Sequence, residues 1–197
     1  MVECDIRPAK DGVLVLAHDE TVTNRDGNRY TITETDSEVL ARLDLGAGEG
    51  VPTLQALVNW AQGRCAIMAD MKCEGNGVEE QVAHILQPLS VEYKIVPGAD
   101  TESRARFRAV DSSLPLSLSV PASYESHIPT EDLGAKVVAM DVQAVTWEYP
   151  LLTLERIQQL QEAGLRVFAW TVDDPVIQQR LLAWGLDGII SNRPDLF

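Results

Sequence analysis

The sequence predicts an α/β protein in which parallel strands are joined by crossover helices. Short apolar runs alternate with helical patterns along the whole chain, which is typical of parallel sheets. The phosphate loops GxGxxG and GxxxxGK[ST], which mark many open doubly wound sheets, are absent from the sequence. A closed TIM-type (β/α)8 barrel is therefore favoured over an open sheet.

Seven segments have the length and apolar content of strands. A further apolar arm over residues 13–17 is turned back beside the first strand by Asp11-Gly12, which predicts a small hairpin insertion. We expect one barrel domain over residues 1–197. The predicted strands are 2–7, 65–71, 92–96, 115–120, 136–142, 166–172 and 187–191.

Three helices between these strands have both start and stop signals. Thr53 and Thr153 are good N-caps, and Asp174 followed by proline combines a cap with the residue preferred at the first helical position. Each predicted helix is followed by a glycine suited to its C-terminus. These glycines are Gly63, Gly164 and Gly185.

Composition limits the partners of the chain. Its 197 residues include 16 Lys and Arg against 30 Asp and Glu, a net charge of −14. This charge opposes binding to nucleic acid and to anionic membranes, so a small-molecule partner is expected. Three cysteines without CxxC spacing indicate neither a disulfide framework nor a zinc site. Without an export signal or an apolar span, we expect a cytoplasmic protein with no stable membrane insertion.

Carboxylates are predicted at the ends of two strands. Glu3 and Asp5 share one face of the first strand because side chains alternate along a strand. Asp70 ends the second predicted strand, and three converging carboxylates favour a hard divalent cation, Mg²⁺ or Ca²⁺. The simpler alternative is that an ExD pair occurs by accident in an acidic chain.

Basic and aromatic side chains accompany these carboxylates. Lys72 shares a strand face with Asp70, so it either stabilises a phosphate oxyanion or forms a solvated salt bridge. His18 follows the apolar arm and is suited to general acid or base chemistry near neutral pH. Trp170 either offers an apolar wall to a ligand or packs in the core. His84 and His127 have no comparable context.

Six segments in order resemble the glycerophosphodiester phosphodiesterase family. They cover nearly the whole chain, although no single segment is decisive. The matching segments are Glu3-Cys4-Asp5, Lys10-Asp11-Gly12 leading to His18-Asp19, residues 50–54, Asp70-Met71-Lys72, residues 169–172 and residues 187–194.

The resemblance implies a TIM-barrel hydrolase of lipid and glycerol metabolism that uses a divalent cation to cleave glycerophosphodiesters to an alcohol and glycerol phosphate. Glu3 and Asp5 match the metal ligands of the family, and Asp70 replaces the glutamate usual in its ExK motif. Lys72 matches the lysine of that motif and would also bind substrate. Trp170 matches the tryptophan near the substrate, and His18 the second of two catalytic histidines.

The chain departs from the family pattern at its beginning. A strand with His-Arg-Gly and a first helix precede the ExD strand in the family, and neither is found in this sequence. We therefore expect an N-terminally truncated barrel with impaired turnover, which self-associates through open barrel edges. The alternatives are a non-catalytic protein that binds a metal or a phosphodiester and, ranked last, a phospholipase D-like enzyme.

Overall fold

Parallel strands joined by helices form both units of the structure, as the α/β class predicts. The computed structural model describes residues 1–98, 100–127 and 131–196. The first unit comprises residues 1–96 and 102–114, and the second comprises the described residues of 97–101 and 115–197. No helix in these described residues has both the length and the apolarity needed to cross a membrane.

The first unit carries a four-stranded sheet in the order β6-β5-β1-β2. Its strands are parallel except for the antiparallel pair β1 and β2. The elements are β1 (Val2–Pro8), β2 (Leu14–Leu16), β3 (Thr21–Thr23), β4 (Arg29–Thr31), α1 (Ser37–Ala41), α2 (Leu54–Ala61), β5 (Ile67–Met71), α3 (Val78–Leu86), β6 (Lys94–Pro97) and α4 (Thr101–Val110).

Alternation along β1 separates a buried face from a polar one. Cys4 and Ile6 are buried, whereas Glu3, Asp5 and Arg7 occupy the opposite face and are half-buried. Beyond Pro8 the chain reverses, with the amide of residue 9 donating to the carbonyl of residue 13 at 2.9 Å. The predicted hairpin between β1 and β2 is therefore confirmed.

A second hairpin, β3 and β4, was not predicted. Each strand has three residues, and they pair antiparallel. The segment from this hairpin to residue 51 packs on the β1–β2 hairpin through a small apolar core of Ala9, Val15, Ile32, Leu40, Leu43 and Val51. Burial of these side chains, rather than the length of its strands, stabilises this part of the first unit.

The second unit carries a parallel four-stranded sheet in the order β7-β8-β9-β10. Its core includes the fully buried side chains of Val145, Trp147 and Val167. The elements are β7 (Leu116–Val120), α5 (Leu133–Val138), β8 (Ala144–Glu148), α6 (Leu154–Glu162), β9 (Arg166–Trp170), α7 (Pro175–Ala183) and β10 (Gly188–Ile189).

The three predicted helix starts are confirmed by hydrogen bonds. Thr53 accepts from the amide of residue 56 at 3.1 Å, and Thr153 accepts from the amide of residue 156 at 3.2 Å. Asp174 accepts from the amides of residues 176 and 177. Gly164 follows the end of α6 with φ +83°, a conformation that other residues rarely adopt.

The strand predicted over residues 136–142 is wrong. Leu133 and Val137, four residues apart, are buried on one face of α5, so the period is helical. The chain then turns at Asp141, with φ +58°, and the strand lies further on as β8. The other six predicted strands are present with shifted ends; β10 has only two residues.

Candidate metal centre and active site

Three carboxylates form a cluster on the polar side of β1 and β5. Asp5 and Asp70 are paired in register on these neighbouring parallel strands, so their side chains leave the sheet side by side. Glu3 lies two residues before Asp5 on the same face. One oxygen from each of the three carboxylates lies within 4.8 Å of the other two.

Lys72 joins the two aspartates. Its Nζ lies 2.8 Å from Asp70 Oδ2 and 2.9 Å from Asp5 Oδ1. The backbone amide of Lys72 donates to the carbonyl of Ile6 at 3.1 Å, which continues the pairing of β1 and β5 beyond Met71. The backbone pairing of β1 and β5 therefore positions the ammonium of Lys72 beside the carboxylates of Asp5 and Asp70.

Burial and crowding set the charge state of the cluster. Burial, followed by the charges of Asp5 and Asp70, raises the pKa of Glu3 to about 7. Burial also raises the pKa of Asp70, although Lys72 opposes this shift. Burial disfavours the charged ammonium of Lys72, but its hydrogen bonds to Asp70 and Asp5 together outweigh that effect and raise its pKa. The cation-free protein therefore keeps a proton on Glu3 up to about neutral pH.

His18 lies near this cluster at the end of the β1–β2 hairpin. The amide of Ala17 donates to the carbonyl of Asp5 at 3.0 Å, so His18 follows a residue anchored to the carboxylate strand. The positive form of His18 opposes the rise in pKa of Glu3 and Asp70, which places it within electrostatic range of both. Its ring contacts Asp19 through Nδ1 at 2.8 Å, and its side chain is 72% exposed. Solvent and substrate can therefore reach the imidazole.

Trp170 belongs to the second unit. It ends β9 and is paired in register with Glu148 at the end of β8. Its Nε1 is buried and has no hydrogen-bond partner within the described part of the chain. Trp147, in the core of the same unit, has an indole nitrogen in the same state, so this feature alone does not mark a ligand site.

Cys4 has no part in the cluster. It lies on the buried face of β1, and burial, followed by the charge of Glu3, raises the pKa of its thiol to about 12. The thiol therefore stays protonated at neutral pH and is neither a nucleophile nor a ready metal ligand.

Sequence reasoning missed two polar groups that support the site. Arg7, on the carboxylate face of β1, donates from Nε and Nη2 to the carbonyl of His18. Glu79 is fully buried at the start of α3 and accepts from the amide of Gly75, three residues after Lys72. The two-residue period of β1 could have indicated Arg7, since it continues the series Glu3 and Asp5.

Glu79 is held by four donors. Three of them surround Glu79 Oε1: Ser103 Oγ at 2.6 Å, Arg106 Nη2 at 2.8 Å and Arg106 Nε at 2.9 Å. The fourth is the backbone amide of Gly75. Burial raises the pKa of this carboxyl, but the hydrogen bonds from Ser103, Gly75 and Arg106 outweigh it and lower the pKa to about 2. The network therefore ties the loop after Lys72 to α3 and α4.

The donor set suits a hard divalent cation. All three groups offer carboxylate oxygens, which Mg²⁺ and Ca²⁺ prefer, and no sulfur or imidazole belongs to the cluster. Three ionised carboxylates against the single ammonium of Lys72 leave an excess of negative charge, and the charges of Asp5 and Asp70 add to burial in raising the pKa of Glu3. A bound cation would remove that imbalance.

The sequence of the chain matches a known protein family over nearly its whole length. The model of the glycerophosphoryl diester phosphodiesterase family matches residues 1–196. The probable glycerophosphodiester phosphodiesterase 2 of Mycobacterium tuberculosis is 28% identical, over 99% of this chain and 76% of its own length.

Solved structures show the same fold. The glycerophosphodiester phosphodiesterase of Agrobacterium tumefaciens superposes with a TM-score of 0.78 at 22% identity, covering 99% of this chain and 85% of its own. A phosphodiesterase of Oleispira antarctica, solved with the product sn-glycerol-3-phosphate, gives a TM-score of 0.80 at 21% identity, covering 98% and 81%. The predicted TIM-type α/β fold is thus confirmed. With a family model matching all but its last residue, the chain belongs to the glycerophosphoryl diester phosphodiesterase family.

Proposed function

We propose that this chain is a metal-dependent phosphodiesterase that hydrolyses glycerophosphodiesters to an alcohol and glycerol phosphate. The observation that carries the proposal is the carboxylate cluster of Glu3, Asp5 and Asp70 with Lys72 between two of its members, in a chain of this family. The family match over residues 1–196 also supports a single catalytic domain.

Glu3, Asp5 and Asp70 would hold Mg²⁺ or Ca²⁺. A divalent cation, when bound, supplies Lewis-acid polarisation of a phosphoryl oxygen. Lys72 lies against the same carboxylates, so its ammonium can donate to a second phosphoryl oxygen and stabilise the negative charge that develops there.

His18 would move the proton that the reaction requires. Hydrolysis breaks one P–O bond, and the departing alkoxide oxygen must gain a proton while the attacking water loses one. The exposed imidazole of His18 can donate to the first or accept from the second, in each case at a ring nitrogen. Trp170 would pack its ring on the glycerol or alcohol part of the substrate.

Hydrolysis of glycerophosphocholine, measured by release of glycerol phosphate with Mg²⁺ or Ca²⁺ present, tests the proposal. We expect turnover that is lost on chelation and that falls on the order of 10²- to 10⁴-fold in His18→Ala. His127→Ala, which changes a histidine of the second unit, serves as the matched control and should retain activity. Full turnover in His18→Ala, or turnover insensitive to chelation, contradicts this mechanism.

A second candidate function is binding of a cation or phosphodiester without cleavage. One observation about the histidines of the described residues favours it. The charge of His18 acts on the pKa of Glu3 and Asp70, whereas the ring of His84 is hydrogen-bonded to the carbonyl of Glu80 on α3. A mechanism with two histidines needs a further proton-transfer group. Calorimetric binding of Ca²⁺ or Mg²⁺, with no product from glycerophosphocholine, decides for this function.

We also propose that the chain self-associates through strand edges. Support comes from the position of β10 at the end of its sheet, where it pairs with β9 and has no second strand partner among the described residues. An unpaired edge is a template for another chain. Light scattering coupled to size exclusion should give a mass that rises with concentration; a constant monomer mass contradicts the proposal.

A further inference from the structure

Arg7 and His18 are joined by two hydrogen bonds to one atom. Arg7 Nε lies 3.1 Å and Arg7 Nη2 3.0 Å from the backbone oxygen of His18, eleven residues further along the chain. Because both donors belong to one planar guanidinium, they restrict the direction of this carbonyl more than a single donor could.

This contact lies where the backbone pairing of the hairpin ends. Ile6 pairs with Leu16, and the amide of Ala17 donates to the carbonyl of Asp5. His18 lies beyond the last residue of β2, so its carbonyl has left the ladder. Beyond this point the side chain of Arg7, through its two hydrogen bonds, attaches the chain at His18 to β1.

The same strand therefore carries metal ligands and holds the histidine. Glu3, Asp5 and Arg7 occupy alternate positions on one face of β1. Arg7 of β1 holds the peptide group between His18 and Asp19 through the carbonyl of His18. The imidazole contacts Asp19, with 2.8 Å between Nδ1 and Oδ1. The backbone of His18 is thus held relative to β1, and its ring contacts only the neighbouring Asp19 among the hydrogen bonds of the described residues.

We propose that Arg7 is a positioning residue that fixes His18 relative to the carboxylate cluster. This inference rests on the proposed function, in which His18 transfers a proton. Proton transfer requires the imidazole within hydrogen-bond reach of the reacting oxygen, and a displacement of about 1 Å can cost on the order of 10²-fold in rate. In this role Arg7 acts through the backbone of His18, to which its guanidinium donates twice.

Kinetics of Arg7→Ala on glycerophosphocholine test this role. We expect kcat to fall about 10- to 100-fold, with KM changed less than about twofold, because the geometry of proton transfer is lost while binding groups remain. Arg42→Ala, which removes an exposed arginine of the same unit, should match the unchanged protein. A raised KM with unchanged kcat would show instead that Arg7 binds substrate, and would overturn the proposal.

A double-variant cycle shows whether Arg7 acts through His18. In the His18→Ala background, Arg7→Ala should lower the residual rate less than about twofold, because the group that it positions is gone. If the two losses multiply, Arg7 contributes independently and the proposal is wrong.

Backbone relaxation supplies a readout that does not depend on turnover. The amide of Asp19 belongs to the same peptide group as the carbonyl held by Arg7, so its ¹⁵N order parameter should fall from about 0.85 to below about 0.6 in Arg7→Ala. An unchanged order parameter overturns the proposal even if the chain has no phosphodiesterase activity. Loss of activity in His18→Ala with a normal Arg7→Ala variant overturns this inference alone and leaves the proposed function standing.

Discussion

Asp5 and Asp70 occupy directly paired positions on the parallel strands β1 and β5. Their carboxylates consequently leave the sheet together, and one ammonium, that of Lys72, contacts both at 2.9 and 2.8 Å. The register of two strands, rather than a loop, defines the spacing of these groups. A site built on strands is held more precisely than one built on loops.

Asp70→Asn should abolish cation-dependent activity, because a neutral amide removes a ligand charge and one member of the paired aspartates. We expect cation affinity, measured by calorimetry, to weaken by at least about 100-fold, beyond the loss usual for a residue that only supports a ligand. Asp26→Asn, the same change at an exposed loop residue, is the control. Unaltered cation affinity in Asp70→Asn would remove this residue from the metal site.

Cation binding should release a proton from Glu3 below neutral pH. The pKa of Glu3 in the cation-free protein is about 7, so at pH 6 the carboxyl is mostly protonated and must ionise to bind a metal. Calorimetry at pH 6 in two buffers of different ionisation enthalpy should show about one proton released per cation. The release should disappear above pH 8 and in Glu3→Gln. Identical heats in both buffers at pH 6 would contradict the prediction.

Lys72→Met should separate cation binding from turnover. Removal of an ammonium within 2.9 Å of two carboxylates leaves more negative charge at the cluster, so cation affinity should rise. Turnover should nevertheless fall about 10²- to 10³-fold, as expected when a donor to a developing oxyanion is lost. Lys10→Met removes an exposed lysine and should change neither quantity. Weaker cation binding in Lys72→Met would show that Lys72 supports the ligands rather than competing with the cation.

Glu79→Gln should destabilise the fold and alter its response to acid. The ordinary pKa of this carboxyl is 4.5, and its folded value is about 2. Its contribution is therefore complete above pH 4.5 and is lost as the pH falls through about 2. At pH 7 we expect the free energy of unfolding to drop by about 3 kcal/mol, since a buried charge pair loses one partner.

Denaturant unfolding of Glu79→Gln between pH 2 and 7 measures both effects. The difference between the variant and the unchanged protein should shrink as the pH falls below 4.5. Glu38→Gln, at an exposed pair with Arg42, should stay within about 0.5 kcal/mol of the unchanged protein. A pH-independent difference would show that Glu79 acts through packing alone.

The strand bearing the carboxylates could be predicted because its pattern is local. Glu3 and Asp5 follow a two-residue period, with Cys4 and Ile6 buried between them, and that period depends on no distant residue. The helix starts at Thr53, Thr153 and Asp174 were equally predictable, since each cap bonds an amide two or three residues away. These caps and the alternation of β1 depend on residues within one turn or one strand, and they were predicted correctly.

Features that depend on distant partners were not predicted. The carbonyl that Arg7 binds belongs to a residue eleven positions away, and no side-chain pattern marks it. The β3–β4 hairpin was not predicted for another reason: strands of three residues are too short to show an alternating pattern in the sequence. Residues 136–142 were misread since a dense apolar run fits a strand and a helix equally well until burial of Leu133 and Val137 is known.

Lys72, which lies between the two aspartates, also sets the net charge that a bound ion must neutralise. With every group ionised, three carboxylates and one ammonium leave two negative charges on the protein. A doubly charged ion cancels this charge completely, whereas sodium or potassium leaves half of it uncompensated in a partly buried place. The charge of Lys72 thus matches the cluster to a divalent ion, although an ammonium has no lone pair with which to ligate a metal.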